Sequence, residues 1–385
     1  MTAGDVYQGQ QLIGRLERHA RGIRFSAIEG ATLPHGWVAT TLPHETADFA
    51  ELPNFFLNLL PEGARLQLLL DSARSRDDAL ELLLRVGWDT IGDIAVLPSG
   101  EKPGTRRARV AVKDLGQVSF WELFRAGASD NADSAIPGAQ EKVSAATVAF
   151  GVRAKGVPSA ILKLNPPQFP RLVQNEEFFL RMAKGCRLEV NRAKVVHDRE
   201  GEPGLLVQRF DRKDRGVTKL HIEDGCQLLN SPPAHKYQPS MRAIADRVAD
   251  TCSSALVEVE RLMRLTAFSY IIGNGDLHAK NVSVLWDEVV RLSPGYDLLS
   301  TLPYKQLDQH MALSTQGKND NLRCGDFIDF GRIYGLTETA TRRMIEELCD
   351  LAEPWLGRVA EIGFDPRVTE SLQSEMARRQ AKLRR

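Results

Sequence analysis

Asp276, Asn281 and Asp297 are the residues whose types and spacing could do chemistry. Asp276 and Asn281 stand five apart in "YIIGNGDLHAKNVSVL", residues 270–285, and Asp297 follows in "SPGYDLLS". A carboxylate beside an attacking hydroxyl can receive its proton, and two further oxygen ligands can hold Mg²⁺ against a polyphosphate. D-x-x-x-x-N is the spacing with which phosphoryl-transfer loops supply a base and a metal ligand. The stretch also has an ordinary reading. Asn274-Gly275 is a strong turn signal, and a polar connection between two apolar elements needs no chemistry. The short match decides nothing alone. Phosphoryl transfer also needs a cation for the phosphates, a counter-charge for that cation, and a loop to cradle them.

Lys163 in "AILKL" is the candidate cation. Strand alternation puts Ile161, Lys163 and Asn165 on one face and Leu162 and Leu164 on the other. A strand lysine is usually an edge or surface charge, but one among four apolar neighbours needs a counter-charge. "QNEEFFLRMAKG", residues 174–185, supplies two candidates, Glu176 and Glu177, whose ordinary role is to complement a helix N-terminus. Upstream, "SAIPGAQEKVSAA", residues 134–146, is neither G-x-G-x-x-G nor G-x-x-x-x-G-K-[ST]. Its Pro137-Gly138 turn before a strand could still aim backbone N–H groups at an anion, with Gln140 and Lys142 adding donors.

These residues need elements to hold them. Residues 1 to about 45 read as short strands and turns, "VYQGQQLIGRLER", "IRFSAI" and "GWVATTL". Helical spacing takes over in "FAELPNFFLNLLPEGARLQLLLDSAR" and "RDDALELLLRVG", and "GDIAVLP" returns to a strand. "SGEKPGTRRAR" has linker composition and sets a boundary near residue 105. Then come a meander over 138–165, an amphipathic helix over 175–185, and a β pair, "RAKVVHD" and "GLLVQRF". After "LLNSPPAHKYQPS" the chain is mainly helical, apart from the hairpin "NVSVLWDEVVRLS". Strands followed by a helical half make an α+β protein of two lobes.

Composition bounds the partners. The chain has 385 residues and 50 basic against 50 acidic side chains, so bulk charge announces neither nucleic acid nor a membrane surface. The basic cluster "ARRQAKLRR", residues 377–385, reads as a solvated helix end, where cations suit the dipole. Five cysteines, with no C-x-x-C pair, argue against a disulfide framework or zinc ribbon and for a reducing compartment. The N-terminus lacks the pattern of a signal peptide, and no run approaches the ~20 apolar residues of a membrane helix. A cytoplasmic location is expected.

Taken together, "IPGAQEK", "ILKL", "NEEFFLRMAK", "LLVQRFDR", "EDGCQLL" with "KY", "GNGDLHAKN" and "YDLLS" occur in the order seen in HipA-type serine/threonine kinases, the toxins of bacterial toxin–antitoxin pairs. "VYQGQQLIGRL", "NFFLNLLPEG" and "VGWDTIGDIAVL" resemble the small domain that precedes that kinase core. The resemblance spans nearly the whole chain. It implies a two-lobed kinase-like α+β fold divided into an N-terminal α/β subdomain over 1–105, a kinase N-lobe over 106–235 and a helical C-lobe over 236–385. It implies ATP and Mg²⁺ as cofactors. Asp276 resembles the catalytic base, Asn281 and Asp297 the metal ligands, with Asp-Leu-Leu replacing Asp-Phe-Gly. Lys163 resembles the phosphate lysine, and Glu176, at the "NE" of the motif, resembles its partner. Ile136, Gly138, Ala139, Gln140 and Lys142 fall in the phosphate loop. Gln208, Arg209 and Phe210 fall at the hinge where adenine would sit, and Tyr296 beside Asp297. His278 and Lys280 lie in the catalytic loop, where Lys280 would meet the γ-phosphate. The implied partners are a protein substrate, a HipB-like helix-turn-helix antitoxin, and operator DNA through that antitoxin. Some family members phosphorylate aminoacyl-tRNA synthetases, which these motifs do not carry over.

One position departs from the pattern. The phosphate loop of this family often has a serine three residues before the glycine, whose autophosphorylation switches the kinase off. Here Ala135 stands there, beside Ser134. Either the switch is absent, Ser134 substitutes, or the alanine is an inactivating replacement. Two other readings stand beside the kinase. A small-molecule phosphotransferase of the aminoglycoside or choline kinase type also uses a G-D-x-x-x-x-N loop, and a catalytically silent ATP-binding module could act by docking a repressor.

Overall fold

The chain is described from a computed structural model, which covers residues 2–385 apart from 32, 34, 44, 64–65, 67–68, 71–77, 105–110, 113, 129–147 and 155–156. The N-terminal sheet has strands β1 (Ala3–Gln8), β2 (Gln11–His19), β3 (Gly22–Ala27), β4 (Ala47–Phe49) and β5 (Ile94–Pro98), in the spatial order β4-β3-β2-β1-β5. Every pairing is antiparallel. Alternation along the strands turns Val6, Leu16, Phe25 and Val96 to one face, and a bulge where Ile13 falls outside the β1–β2 register adds that side chain to the same cluster. There they pack on Phe55 and Phe56 of α1 (Asn54–Leu57) and on Leu80 and Leu83 of α2 (Ala79–Val86). Asp78 caps α2 by accepting from the N–H groups of Leu80 and Glu81. "GWVATTL" is not the strand expected. It is a turn-rich segment whose Val38, Ala39 and Leu42 fill the same core, while the Thr40 N–H is committed to Glu223 at 2.8 Å instead of a strand ladder.

The second sheet holds β6 (Ala111–Val112), β7 (Val148–Ala154), β8 (Val157–Leu164), β9 (Ala193–His197) and β10 (Pro203–Gln208), in the order β6-β7-β8-β10-β9. Leu162 and Leu164 face Phe120 and Phe124 of α3 (Phe120–Ala128). Ile161 lies on the other face with Val173, Leu205 and Val207, against α4 (Leu172–Gly185). The strand alternation anticipated around Lys163 is the one that folds.

Beyond β10 come two short strands, β11 (Arg212–Lys213) and β12 (Thr218–Lys219), and then β13 (His221–Asp224), which pairs with the hairpin β14 (Ser283–Trp286) and β15 (Val290–Leu292). Short α5 (Gly225–Leu228) starts from an Asp224–Gln227 capping box. The helices α6 (Met241–Thr251), α7 (Ala255–Ile272), α8 (Cys324–Ile333), α9 (Glu338–Leu356) and α10 (Pro366–Leu383) surround one large core. In it α7 is buried along most of its length. All five cysteines are buried and free. No described helix is long and apolar enough to cross a membrane.

The basic C-terminal cluster is not wholly the solvated helix end expected. Leu383 is fully buried, and Arg379 and Gln380 nearly so. The Arg379 guanidinium donates to the carbonyl oxygens of Tyr270, at 3.3 Å, and Gln309, at 2.7 Å. The α10 face that carries Leu372, Met376 and Leu383 belongs to the core, and it takes this cation inside with it.

Candidate active site

Helix α7 delivers the loop that carries Asp276. The helix ends at Gly273 with φ +67°, a left-handed cap, and a Cβ there would meet Leu302 at 2.2 Å. Gly275 is equally obligatory: a Cβ would meet the Asp308 carbonyl and the Thr301 hydroxyl, both at 2.7 Å. The Asn-Gly pair read as a turn therefore passes close beneath the chain around 301–310.

Asp276 is buried. Its backbone N–H donates to Asn274 Oδ1 at 3.0 Å, and the Asn281 amide donates to its carbonyl oxygen at 2.8 Å. The five-residue spacing thus closes on itself: Asn281 Nδ2 fixes the main chain of Asp276. The Tyr237 hydroxyl donates to Asp276 Oδ1 at 2.5 Å. Burial pushes the Asp276 carboxyl up to about 6. Tyr237 and Lys236 hold it down in part, and the negative charges of Asp297 and Glu62 add to the rise. His278 packs edge-on to the Tyr237 ring, with centroids 5.0 Å apart.

The structure brings Lys163, Glu176 and Asp297 together. Lys163 Nζ donates to both Glu176 oxygens, at 2.7 and 2.9 Å, and to Asp297 Oδ1 at 2.5 Å. Glu176, and not Glu177, is the partner; Glu177 instead pairs with Arg181. The helix periodicity explains this, because Glu176 shares the buried face of α4 with Phe179 and Ala183. Burial opposes the Lys163 charge, yet the two carboxylates raise its pKa, so it stays protonated. Burial also lifts Glu176, to about 7; Lys163 counters this and Asp297 adds to it. Asp297 has φ +54°, rare for a residue with a Cβ, and its salt link to Lys163 helps hold it there.

Tyr296 connects three parts of the site. Its hydroxyl donates to the Lys280 carbonyl at 2.6 Å and lies 2.7 Å from Ser283 Oγ. Its ring faces Phe210 with centroids 5.5 Å apart. Gln208 closes β10 with an exposed side chain, and its N–H is committed to the Arg192 carbonyl at 2.8 Å.

Two expectations are corrected. Lys280 does not point an unengaged ammonium at a nucleotide. It donates to Asn58 O and Oδ1, both at 3.0 Å, and to Asp224 Oδ2 at 2.8 Å, so its three N–H bonds are committed. Arg209 does not line an adenine site with its side chain. It is bound to Asp211 at 2.8 Å, to Asp89 at 3.1 Å and to the Thr90 carbonyl at 2.7 Å. In both cases the acceptors come from the N-terminal domain as well as from nearby chain, and they satisfy a buried cation that could not otherwise stay there. The phosphate-loop residues Ile136, Gly138, Ala139, Gln140 and Lys142, with Ser134 and Ala135, lie outside the described residues.

Sequence reading missed Tyr237, Asn58 and Asp224, each in direct contact with the loop that carries Asp276 and Lys280. Tyr237 was quoted only as the end of a motif. Its 39-residue separation from Asp276 gives no local signal.

The arrangement suits a polyphosphate with a divalent cation. Glu176 and Asp297 put two carboxylates on one ammonium, Lys163, and the Asp297 charge raises the pKa of both Glu176 and Asp276. A cation would relieve that repulsion. Among the described residues no three His, Cys, Asp or Glu side chains group as a metal cage. An amide and carboxylate completed by phosphate and water is the manner of Mg²⁺, which keeps part of its hydration and seldom uses an all-protein cage.

Comparison with known proteins agrees over most of the chain. Residues 134–356 match the HipA-like C-terminal domain, and residues 4–97 match the HipA N-terminal domain. The chain is 29% identical over 390 residues to "Putative kinase Y4mE" of Sinorhizobium fredii, covering 93% of this chain and 91% of that protein. It is 26% identical over 313 residues to the serine/threonine-protein kinase toxin HipA of Shewanella oneidensis, covering 74% and 71%. The solved structure of the HipA, HipB and operator DNA complex of Shewanella oneidensis MR-1 superposes with a TM-score of 0.77 at 21% identity, over 99% of this chain and 97% of that one. That likeness is one of fold, and it bears out the two-lobed, kinase-like α+β architecture.

Proposed function

From the premise that the chain belongs to the HipA family of kinases, we propose that it transfers the γ-phosphoryl group of ATP to a serine or threonine hydroxyl of a protein. The observation that carries this is Lys163 held between Glu176 and Asp297, which links a strand of one lobe to the loop after β15 in the other. Mg²⁺ bound with ATP would supply charge neutralisation for the transferred phosphoryl group. Asn281 and Asp297 would hold it; with Asn281 Nδ2 committed to Asp276 O, Asn281 Oδ1 is the ligand atom. Lys163 would exchange its Asp297 contact for phosphate oxygens as Asp297 turned to the metal, while Glu176 keeps its ammonium in place. Tyr237 occupies Asp276 Oδ1, so Oδ2 is the atom that orients the acceptor hydroxyl and receives its proton. His278 supports the Tyr237 ring.

The reading extends to the biology of the relatives. The Shewanella protein is a toxin, and its solved complex contains HipB and operator DNA. We place this chain in the cytoplasm as a growth inhibitor neutralised by a HipB-like antitoxin, with DNA reached through that partner. Incubation with labelled ATP and a cell lysate tests the activity. Labelled protein is expected; a labelled metabolite would indicate a small-molecule phosphotransferase, and no label a silent module.

A further inference from the structure

We propose that the N-terminal domain forms one wall of the acceptor site, and that this wall selects protein segments with an apolar side chain beside the phosphorylated hydroxyl. The inference rests on Asp276 as the base and adds what the base's surroundings recognise. A cleft of about 970 Å³ opens at Asp276. One side is built from Leu57, Leu60 and Leu66, the other from Leu307 and Met311, with Tyr237 beside the carboxylate. An acceptor hydroxyl must come within roughly 2.6–3.2 Å of Asp276. The chain that bears it therefore has to lie in this cleft. The volume is that of a pocket for a sizeable ligand, on the order of 300–1,000 Å³, and is far more than one serine side chain fills.

The wall chemistry decides what flanks the hydroxyl. Leu57 and Leu60 pack on the N-terminal core but are only partly buried by it, so they keep apolar surface for an occupant. Among the described charges of the same wall, Glu62 pairs with Lys236, and Asp308 lies 2.7 Å from His310. The wall is also fixed to the catalytic loop. Asn58, between Leu57 and Leu60, accepts from Lys280 at 3.0 Å through both oxygens and donates to the Ser231 carbonyl at 2.9 Å. A surface held to the loop that carries the base positions a flanking side chain relative to that base. Discrimination in an apolar pocket of this kind is on the order of 10–100-fold.

A peptide library tests this. Peptides with a central serine or threonine, and each flanking position fixed in turn as Leu, Phe, Lys, Glu or Gly, are incubated with the full chain, Mg²⁺ and labelled ATP. At one adjacent position the Leu and Phe sets should be labelled roughly tenfold more than the Gly set. In Leu60→Glu the apolar preference should vanish and the Lys set should gain, a change that a merely unfolded protein cannot produce; the KM for ATP should not move. Should Leu60→Glu fail to fold, Leu60→Ala should flatten the preference. Identical preferences in wild type and variant, or a wild-type preference for a fixed charge, would overturn the proposal. So would ATP hydrolysis with no peptide labelled, which would put acceptor recognition elsewhere. No ATP turnover by the wild type would sink the kinase reading itself.

Discussion

Asp276 and Tyr237 show what a single contact does for this site. The carboxylate is buried, and burial alone would favour its neutral form. The Tyr237 hydroxyl offsets part of that and fixes one oxygen. Asp276→Asn should keep the fold, since it preserves shape and still accepts from Tyr237, and should lower phosphotransfer by roughly 10²–10⁴-fold. An unchanged rate in that variant would remove Asp276 from the base role. Tyr237→Phe should leave the KM for ATP alone and lower kcat by about tenfold, in line with ~1.5 kcal/mol for a bond to a charged group. Lys163 was legible because it sits in a strand whose alternation is readable, whereas the helix pattern left Glu176 and Glu177 both open and only the family resemblance separated them. Lys280 was misread because its acceptor Asn58 lies 222 positions away, and no spacing rule reaches that far.

At the scale of elements, β13 joins the N-terminal domain to the helical lobe through His221. This ring is 2% exposed, with Nδ1 2.8 Å from Asp93 and Nε2 3.1 Å from Glu223. Both nitrogens facing carboxylates calls for the doubly protonated ring. Burial lowers its pKa, but Asp93 and Glu223 outweigh that and bring it up to about 9. A pKa raised on folding gives stability that is complete below the unfolded value of about 6.5 and fades as pH climbs through about 9. The shift corresponds to about 3 kcal/mol at most. The Tm should therefore fall between pH 6.5 and 9.5 more steeply in wild type than in His221→Gln. Parallel slopes would show that the ring is neutral. The strand itself was hidden in sequence, because "HIEDG" is short and polar and takes its pairing from the later hairpin β14–β15.

Across the whole molecule, the N-terminal domain engages the segment after β10 through Asp89–Arg209, β13 through Asp93–His221 and the Asp276 loop through Asn58–Lys280. The order of strands, helix and helical half was readable from periodicity. The docking was not, because it rests on polar side chains of turns and short segments that carry no pattern. Asn58→Ala would remove one of the three acceptors of a buried ammonium, the side-chain Oδ1, and leave the backbone carbonyl in place. It should cost about 1–3 kcal/mol in urea unfolding and lower kcat, because Lys280 and Asp276 share one loop. Unaltered unfolding would mean that water replaces the lost amide. The balanced charge, 50 basic against 50 acidic, also predicts negligible DNA binding by the isolated chain at ~0.15 M salt. A sub-micromolar, sequence-specific shift without a partner would contradict that.

The Arg379 clamp has a consequence in time. Its two acceptors, the carbonyls of Tyr270 and Gln309, flank the Asp276 loop in sequence on either side. During synthesis the loop is made roughly 100 residues before the arginine that braces it, a delay of about 5–20 s at ordinary elongation rates. A site assembled in that order lacks its Arg379 brace on the ribosome even after Lys163, Asp276, Asn281 and Asp297 have all been made. Nascent chains arrested before α10 should bind and turn over ATP poorly, and supplying residues 366–385 by resuming translation should restore them. The brace on the Asp276 loop is then the last part of the site to arrive, an order set by the direction of translation.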